Sequence, residues 1–221
     1  MTKALKINKD VGQGILEVLK ILLEKGRVKG VFTLKKINNE DAVAYSLITK
    51  LDELNDAVPF YPLMPTNAGK LLSRFTLKGG SKEPVAAVVK PCELRAFIEL
   101  VKREQGSLEN IFFISATCGG VFPLEMSVDG GVVEKNLSKY WDAVKKGEIP
   151  AELRSACKGC EEFKPYTADI TVDLIGRNDI DKQCVILLNT KRGEELVKGL
   201  KGEFLEKELD EGKLDEFRSK R

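Results

Sequence analysis

The chain predicts an α/β fold: a mixed, partly parallel sheet with flanking helices. Three observations carry this reading. An apolar run at 85–89 (Val-Ala-Ala-Val-Val) is followed by a helical stretch at 91–103 that Pro91 opens. A second apolar run, Ile111-Phe112-Phe113-Ile114, comes next. Strand, helix and strand at these lengths form a βαβ unit, whose strands run parallel and are often adjacent. Helix-period and strand-period segments also alternate on both sides of this unit.

From the start, residues 10–26 read as an amphipathic helix, with Ile15, Leu16, Val18, Leu19, Leu22 and Leu23 recurring at helical spacing. Asp10 suits its N-cap and Gly26 its C-cap. Strands follow at 28–34 and 42–48. Pro59, Pro62 and Pro65 break the chain into an irregular segment, and 67–77 returns to a helix with Leu71, Leu72 and Phe75 on one face. After the central unit come a helix at 136–146, strands at 169–175 and 183–188, and a helix at 192–200. Residues 203–221 are highly charged and show no core element. The expected organisation is therefore one domain over 1–200 and a charged C-terminal extension over 201–221.

At 221 residues the chain can bury a substantial core. Its 36 Lys and Arg nearly balance 34 Asp and Glu, for a formal charge of +2, and no long basic run points to nucleic acid. The opening Met-Thr-Lys-Ala-Leu-Lys lacks the apolar core of a signal peptide. No apolar run approaches the roughly 20 residues of a membrane span. These features suggest a cytoplasmic protein, where cysteines serve metal or redox chemistry more often than structural disulfides.

Four of the five cysteines fall in a pattern. Cys92 and Cys118 each closely follow a strand-like run, and Cys157-Lys158-Gly159-Cys160 is a CxxC. Residues just past successive parallel strands emerge on one sheet edge, where α/β proteins build their sites. If the two strands are neighbours about 4.8 Å apart, both sulfurs can reach one cluster site at that edge. Cys92 also lies in the first turn of its helix, whose positive end favours a thiolate. Lys90, Arg95, Arg154 and Lys158 flank the cysteines and can offset thiolate charge. With no histidine in the chain, His-ligated zinc, His-ligated haem, Ser-His-Asp triads and Cys-His pairs are all excluded.

Plainer readings stand beside this one. A cysteine after a strand can be a small buried hydrophobe. The CxxC can be a redox dithiol, although it does not open a helix after a strand as the thioredoxin motif does. Four thiolates can hold a structural zinc in an interaction scaffold without turnover. Zinc sites usually use two close-spaced pairs, however, and two of these cysteines are isolated, which favours an iron–sulfur cluster. Cys184, inside Gln183-Cys184-Val185-Ile186-Leu187, reads as core. Gly12-Gln13-Gly14 at the first helix could cradle a phosphate or simply give that helix a flexible start. Gly119-Gly120 could allow a planar cofactor or a cluster to approach closely. Tyr140 and Trp141 read as helix-face packing.

The segment 85–96, Val-Ala-Ala-Val-Val-Lys-Pro-Cys-Glu-Leu-Arg-Ala, resembles the "PCEIRA" or "PCQ" segment of the coenzyme F420-reducing hydrogenase and formate dehydrogenase beta-subunit family. Residues 65–74 are similar to the segment upstream of it in the formate-dehydrogenase-like branch. Residues 114–119 and 154–169 resemble the family's second and third cysteine segments, and 22–31 fit its opening. The resemblance implies an iron–sulfur flavoprotein that binds FAD beside a [4Fe–4S] cluster. Such a protein passes electrons between a hydride carrier, coenzyme F420 in some members, and the one-electron clusters of other redox subunits. Carried onto matching positions, it makes Cys92, Cys118, Cys157 and Cys160 the cluster ligands. Gly12, Gly14, Asn67, Lys90, Thr117 and Asp169 become flavin-site candidates. Close relatives continue into a cysteine-rich, ferredoxin-like tail, whereas this sequence stops at Phe217-Arg218-Ser219-Lys220-Arg221.

Overall fold

A computed structural model describes residues 2–37, 42–127 and 131–221. Among them eight strands form a single sheet. They are β1 (Lys3–Ile7), β2 (Gly30–Lys36), β3 (Val43–Ile48), β4 (Val85–Val88), β5 (Ile111–Ala116), β6 (Ile170–Val172), β7 (Cys184–Leu188) and β8 (Glu203–Glu206). In space their order is β3-β2-β4-β5-β6-β7-β1-β8. The central strands β2, β4, β5 and β6 are parallel, and β3, β7, β1 and β8 add antiparallel pairs at the flanks. The expected mixed, partly parallel sheet is the observed one.

Strand alternation divides the core into two layers. In β4 and β5, Ala86, Val88, Ile114 and Ala116 join one apolar cluster with Ile15, Val18, Leu19 and Leu22 of α1 (Val11–Glu24). Their neighbours Ala87, Ile111 and Phe113 join another, with Leu72 of α2 (Ala68–Thr76) and Leu94 and Phe97 of α3 (Pro91–Lys102). Helices on both faces of a parallel centre explain why these strands read as continuous apolar runs.

The remaining helices are α4 (Val132–Lys146), the single turn α5 (Ser155–Lys158), α6 (Lys191–Val197) and α7 (Glu211–Ser219). The expected helix at 136–146 starts earlier, at Val132. Its N-cap is Gly131, which offers no side-chain cap to mark the start. The expected strand at 169–175 is shorter. The N–H groups of Leu174 and Ile175 turn away to the Thr117 hydroxyl, at 2.9 and 3.1 Å.

The largest difference lies at the two ends of the sequence. Lys3–Ile7 pairs with both β7 and β8, although its lysines mask the strand pattern. The segment after residue 200, where the sequence shows no core element, supplies β8 at the sheet edge and α7 on the body. Leu214 and Phe217 of α7 are buried against Phe163 and Ile175. A charged helix can be held by two apolar side chains when they share one face.

Candidate functional site

β4 and β5 are adjacent and parallel, with Val88 opposite Ile114, so their C-terminal ends open on the same edge. Cys92 sits just beyond the first, inside the opening turn of α3. A fully buried carboxylate fixes that turn. Glu93 accepts the backbone N–H of Lys90 at 2.9 Å, that of Ala68 at 3.0 Å, and the Tyr45 hydroxyl. This carboxylate cap, one half of a capping box, sets where Cys92 leaves the backbone.

Beyond β5, Thr117 continues the pairing by donating its N–H to Val172 at 3.0 Å. Cys118 follows, and its N–H reaches the carbonyl of Phe163 at 2.9 Å, which joins the second cysteine segment to the third. Gly119 and Gly120 are packed too closely for side chains. A Cβ on Gly119 would lie 2.6 Å from Val144 and 2.8 Å from the Tyr140 hydroxyl. Gly120 holds φ +107°, and a Cβ there would crowd Leu153 at 2.7 Å and Cys157 at 3.3 Å. Tyr140 secures the turn by donating to the Gly120 carbonyl at 2.9 Å. Arg154 donates its N–H to Val121 at 3.1 Å, which brings α5 and the CxxC against this loop.

All five cysteines are free thiols. Burial pushes the Cys92 thiol up to about 12, and the charges of Cys118, Glu93 and Cys157 push the same way. Burial also raises Cys118, while the Gly120 N–H, Lys90 and Arg221 oppose the rise. Cys92, Cys118 and Cys157 are thus electrostatic neighbours. Cys160 joins them through the backbone, its N–H meeting the Cys157 carbonyl at 3.4 Å. Among the described residues, no three Cys, Asp or Glu side chains stand as a ready-made holder for one metal ion.

The surrounding charge is lopsided. Lys90 is 7% exposed, and its ammonium donates to the Leu63 carbonyl at 2.9 Å. Arg154 Nη2 meets only the Met64 sulfur, at 3.9 Å, and its Nε is buried without a partner. Arg221 donates to backbone carbonyls around the cysteines. Among the described residues none of these three cations has a carboxylate partner. The flanking Arg95, by contrast, is neutralised by Glu162 at 3.6 Å.

Two cavities lie side by side, the smaller one against Cys118. A small one is lined by Lys90, Thr117, Cys118, Gly119 and Gly120 and shares Phe60 and Trp141 with a larger neighbour. The larger cavity, about 500 Å³, runs under the start of α1 past Gly12, Gln13, Tyr61 and Lys145. Sequence reasoning missed this role for Trp141, because a tryptophan on a helix face carries no mark that separates packing from a cavity wall.

The structure brings Gly12, Lys90 and Thr117 to these two cavities and sets Gly14, Asn67 and Asp169 elsewhere. Gly14 faces Cys184, where an added Cβ would meet the Cys184 Cβ at 2.4 Å. Asn67 caps α2 by accepting the Gly69 N–H at 2.9 Å. Asp169 is buried at the start of β6, away from the cysteine edge. It accepts the Phe113 N–H at 2.9 Å and the Thr190 hydroxyl at 2.7 Å. Cys184 is core, as its sequence context suggests.

Residues 82–211, more than half of the chain, match the family model for the C terminus of the coenzyme F420 hydrogenase/dehydrogenase beta subunit. The chain belongs to this family. The F420-dependent formate dehydrogenase 1 subunit beta of Methanococcus maripaludis is 28% identical over 216 residues, covering 86% of this chain and 54% of that protein. The F420-dependent formate dehydrogenase subunit beta of Methanocaldococcus jannaschii is 28% identical over 185 residues, covering 73% and 48%. This family member thus spans about half the length of the curated relatives it matches. Its fold also matches a chain in the structure of the F420-reducing [NiFe] hydrogenase complex from Methanosarcina barkeri. That match has a TM-score of 0.65 at 15% identity and covers 100% of this chain and 89% of the other. No described helix is long and apolar enough to cross a membrane.

Proposed function

We propose that this chain is an iron–sulfur flavoprotein subunit of an oxidoreductase. In this reading Cys92, Cys118, Cys157 and Cys160 hold a [4Fe–4S] cluster, and FAD lies beside it against Phe60 and Trp141. The observation that carries it is the set of three cations, Lys90, Arg154 and Arg221, which belong to or bind the cysteine segments and, among the described residues, have no carboxylate partner. A buried or half-buried cation is costly unless a negative group neutralises it. Four thiolates on an iron–sulfur cluster leave a net negative charge, and soft sulfur donors suit such a cluster.

Bound FAD would take up a hydride and the cluster single electrons, which would couple a two-electron carrier to the one-electron centres of a partner. The chain's residues prepare that exchange. The Glu93 cap and the Thr117 hydroxyl fix the two strand exits, and the Gly119-Gly120 turn lets Tyr140, Val144 and Cys157 pack closely against it. Phe60 and Trp141 separate the thiols from the larger cavity with an apolar wall. The named relatives make coenzyme F420 the hydride carrier of this proposal and the other subunits of such a dehydrogenase or hydrogenase its partners. Five free thiols suit a reducing compartment, so we take the cytoplasm as its place of work.

Trp141 is the only tryptophan in the chain, so its emission reports on the larger cavity. Titrating anaerobically purified protein with FAD should quench that emission to saturation at one equivalent. Unchanged emission together with no retained flavin would refute the flavin half of the proposal. A colourless protein loaded with zinc would replace the redox reading with a four-cysteine zinc scaffold.

A further inference from the structure

We propose that Arg221 is a positioning residue for the cysteine site. Its guanidinium clasps the second and third cysteine segments together and sets a fixed positive charge against their sulfurs. One amino group, Nη1, donates to the carbonyls of Cys157 at 2.6 Å and Cys160 at 3.0 Å. The other, Nη2, donates to those of Gly119 at 3.1 Å and Cys118 at 3.4 Å. One side chain thus contacts the backbone of three of the four proposed ligands. The planar fork suits this task, because it presents several donors in fixed directions where a lysine has one compact charge.

The clasp is itself held. The guanidinium carbon lies 4.7 Å from the Phe217 ring centroid and 5.5 Å from that of Phe163, and these two rings meet edge to face at 5.0 Å. Such cation–π contacts orient an arginine without neutralising it. The Arg221 N–H donates to the Arg218 carbonyl at 3.1 Å, which fixes the backbone that carries the guanidinium. Among the described residues the guanidinium has no carboxylate partner, and its Nε is buried without a hydrogen bond. Its charge is therefore available to the cysteine segments whose carbonyls it binds.

The inference rests on the cluster reading above, and it predicts effects on the retention and reduction potential of the cluster. Potentials of iron–sulfur centres respond to nearby charge and hydrogen bonding. The full chain and its Arg221→Lys and Arg221→Gln variants are purified anaerobically. Iron and sulfide per chain are measured before and after gel filtration, and the midpoint potential by a dye-mediated titration. Arg221→Gln should lose half or more of its iron on the column, or keep it at a more negative potential than wild type. Arg221→Lys, which keeps the charge but not the fork, should lose iron while its remaining clusters keep a potential near wild type. Wild-type iron retention and potential in both variants would overturn the clasp and leave the cluster reading standing. A wild-type chain that binds no iron would overturn both.

Discussion

The carbonyl of Phe163 accepts the N–H of Cys118 at 2.9 Å, so the exit of β5 is tied directly to the loop that follows the CxxC. The Phe163 ring is 1% exposed and packs edge to face on Phe217. Replacing Phe163 with alanine should cost about 3–5 kcal/mol through the cavity it leaves. It should also weaken iron retention, because the ring supports Arg221. Urea unfolding of Phe163→Ala beside Phe163→Leu checks this, with the leucine variant expected to be milder. Equal stability of the alanine variant and wild type would contradict the packing account.

Glu93 is a second anchor. Its buried carboxylate satisfies two backbone N–H groups and the Tyr45 hydroxyl at the turn that carries Cys92. Glu93→Ala leaves these donors without a partner, at a cost of about 1–3 kcal/mol for each one that finds no water. Glu93→Gln keeps one acceptor oxygen and should lose less. The ordering Gln above Ala in denaturant midpoint is the expected result, and equal midpoints would count against the anchor.

The same contact sets an alkaline limit. Burial, and then the Glu93 charge, hold the Tyr45 phenol well above its ordinary value of 10.0. The folded chain therefore keeps this proton to a higher pH than the unfolded chain does. Its contribution is fully present below the ordinary phenol value and falls as pH rises above it. The urea midpoint should drop between about pH 9.5 and 11 more steeply in wild type than in Tyr45→Phe. Parallel profiles would show that Tyr45 carries no such linkage.

Gly14, a flavin-phosphate candidate by its sequence motif, lies instead where α1 crosses β7. Gly14→Ala should destabilise the apoprotein, because its Cβ would fall 2.4 Å from the Cys184 Cβ. Cys184→Ala should not rescue it, since the blocking atom remains. Burial also pushes the Cys184 thiol up to about 12, so it should resist alkylation at pH 8 until the chain is unfolded. A Gly14→Ala variant as stable as wild type would remove Gly14 from the packing account.

The cysteine edge was legible because its evidence is local. Each of Cys92 and Cys118 follows its own apolar strand within a few residues, and the parallel pairing of those strands follows from the intervening helix. Lys90 and Thr117 lie in the same two segments, but it was the family resemblance that singled them out as flavin-site candidates. β1, β8 and α7 were not, because lysines and glutamates interrupt their patterns and they are held by distant partners. Arg221 gave no signal at all: its acceptors lie 61 to 103 residues away and are backbone carbonyls, which no residue type marks. Trp141 and Phe60 come to line the same cavities only in the folded chain, from segments far apart in sequence.

The most direct test of the central claim is the iron, sulfide and flavin content of the anaerobically purified chain, read with its visible spectrum. About four irons and four sulfides per chain are expected, with broad visible absorbance that dithionite bleaches. It also predicts that Cys157→Ser removes most of both. A chain that carries zinc without colour, or a Cys157→Ser variant with wild-type iron, would contradict it.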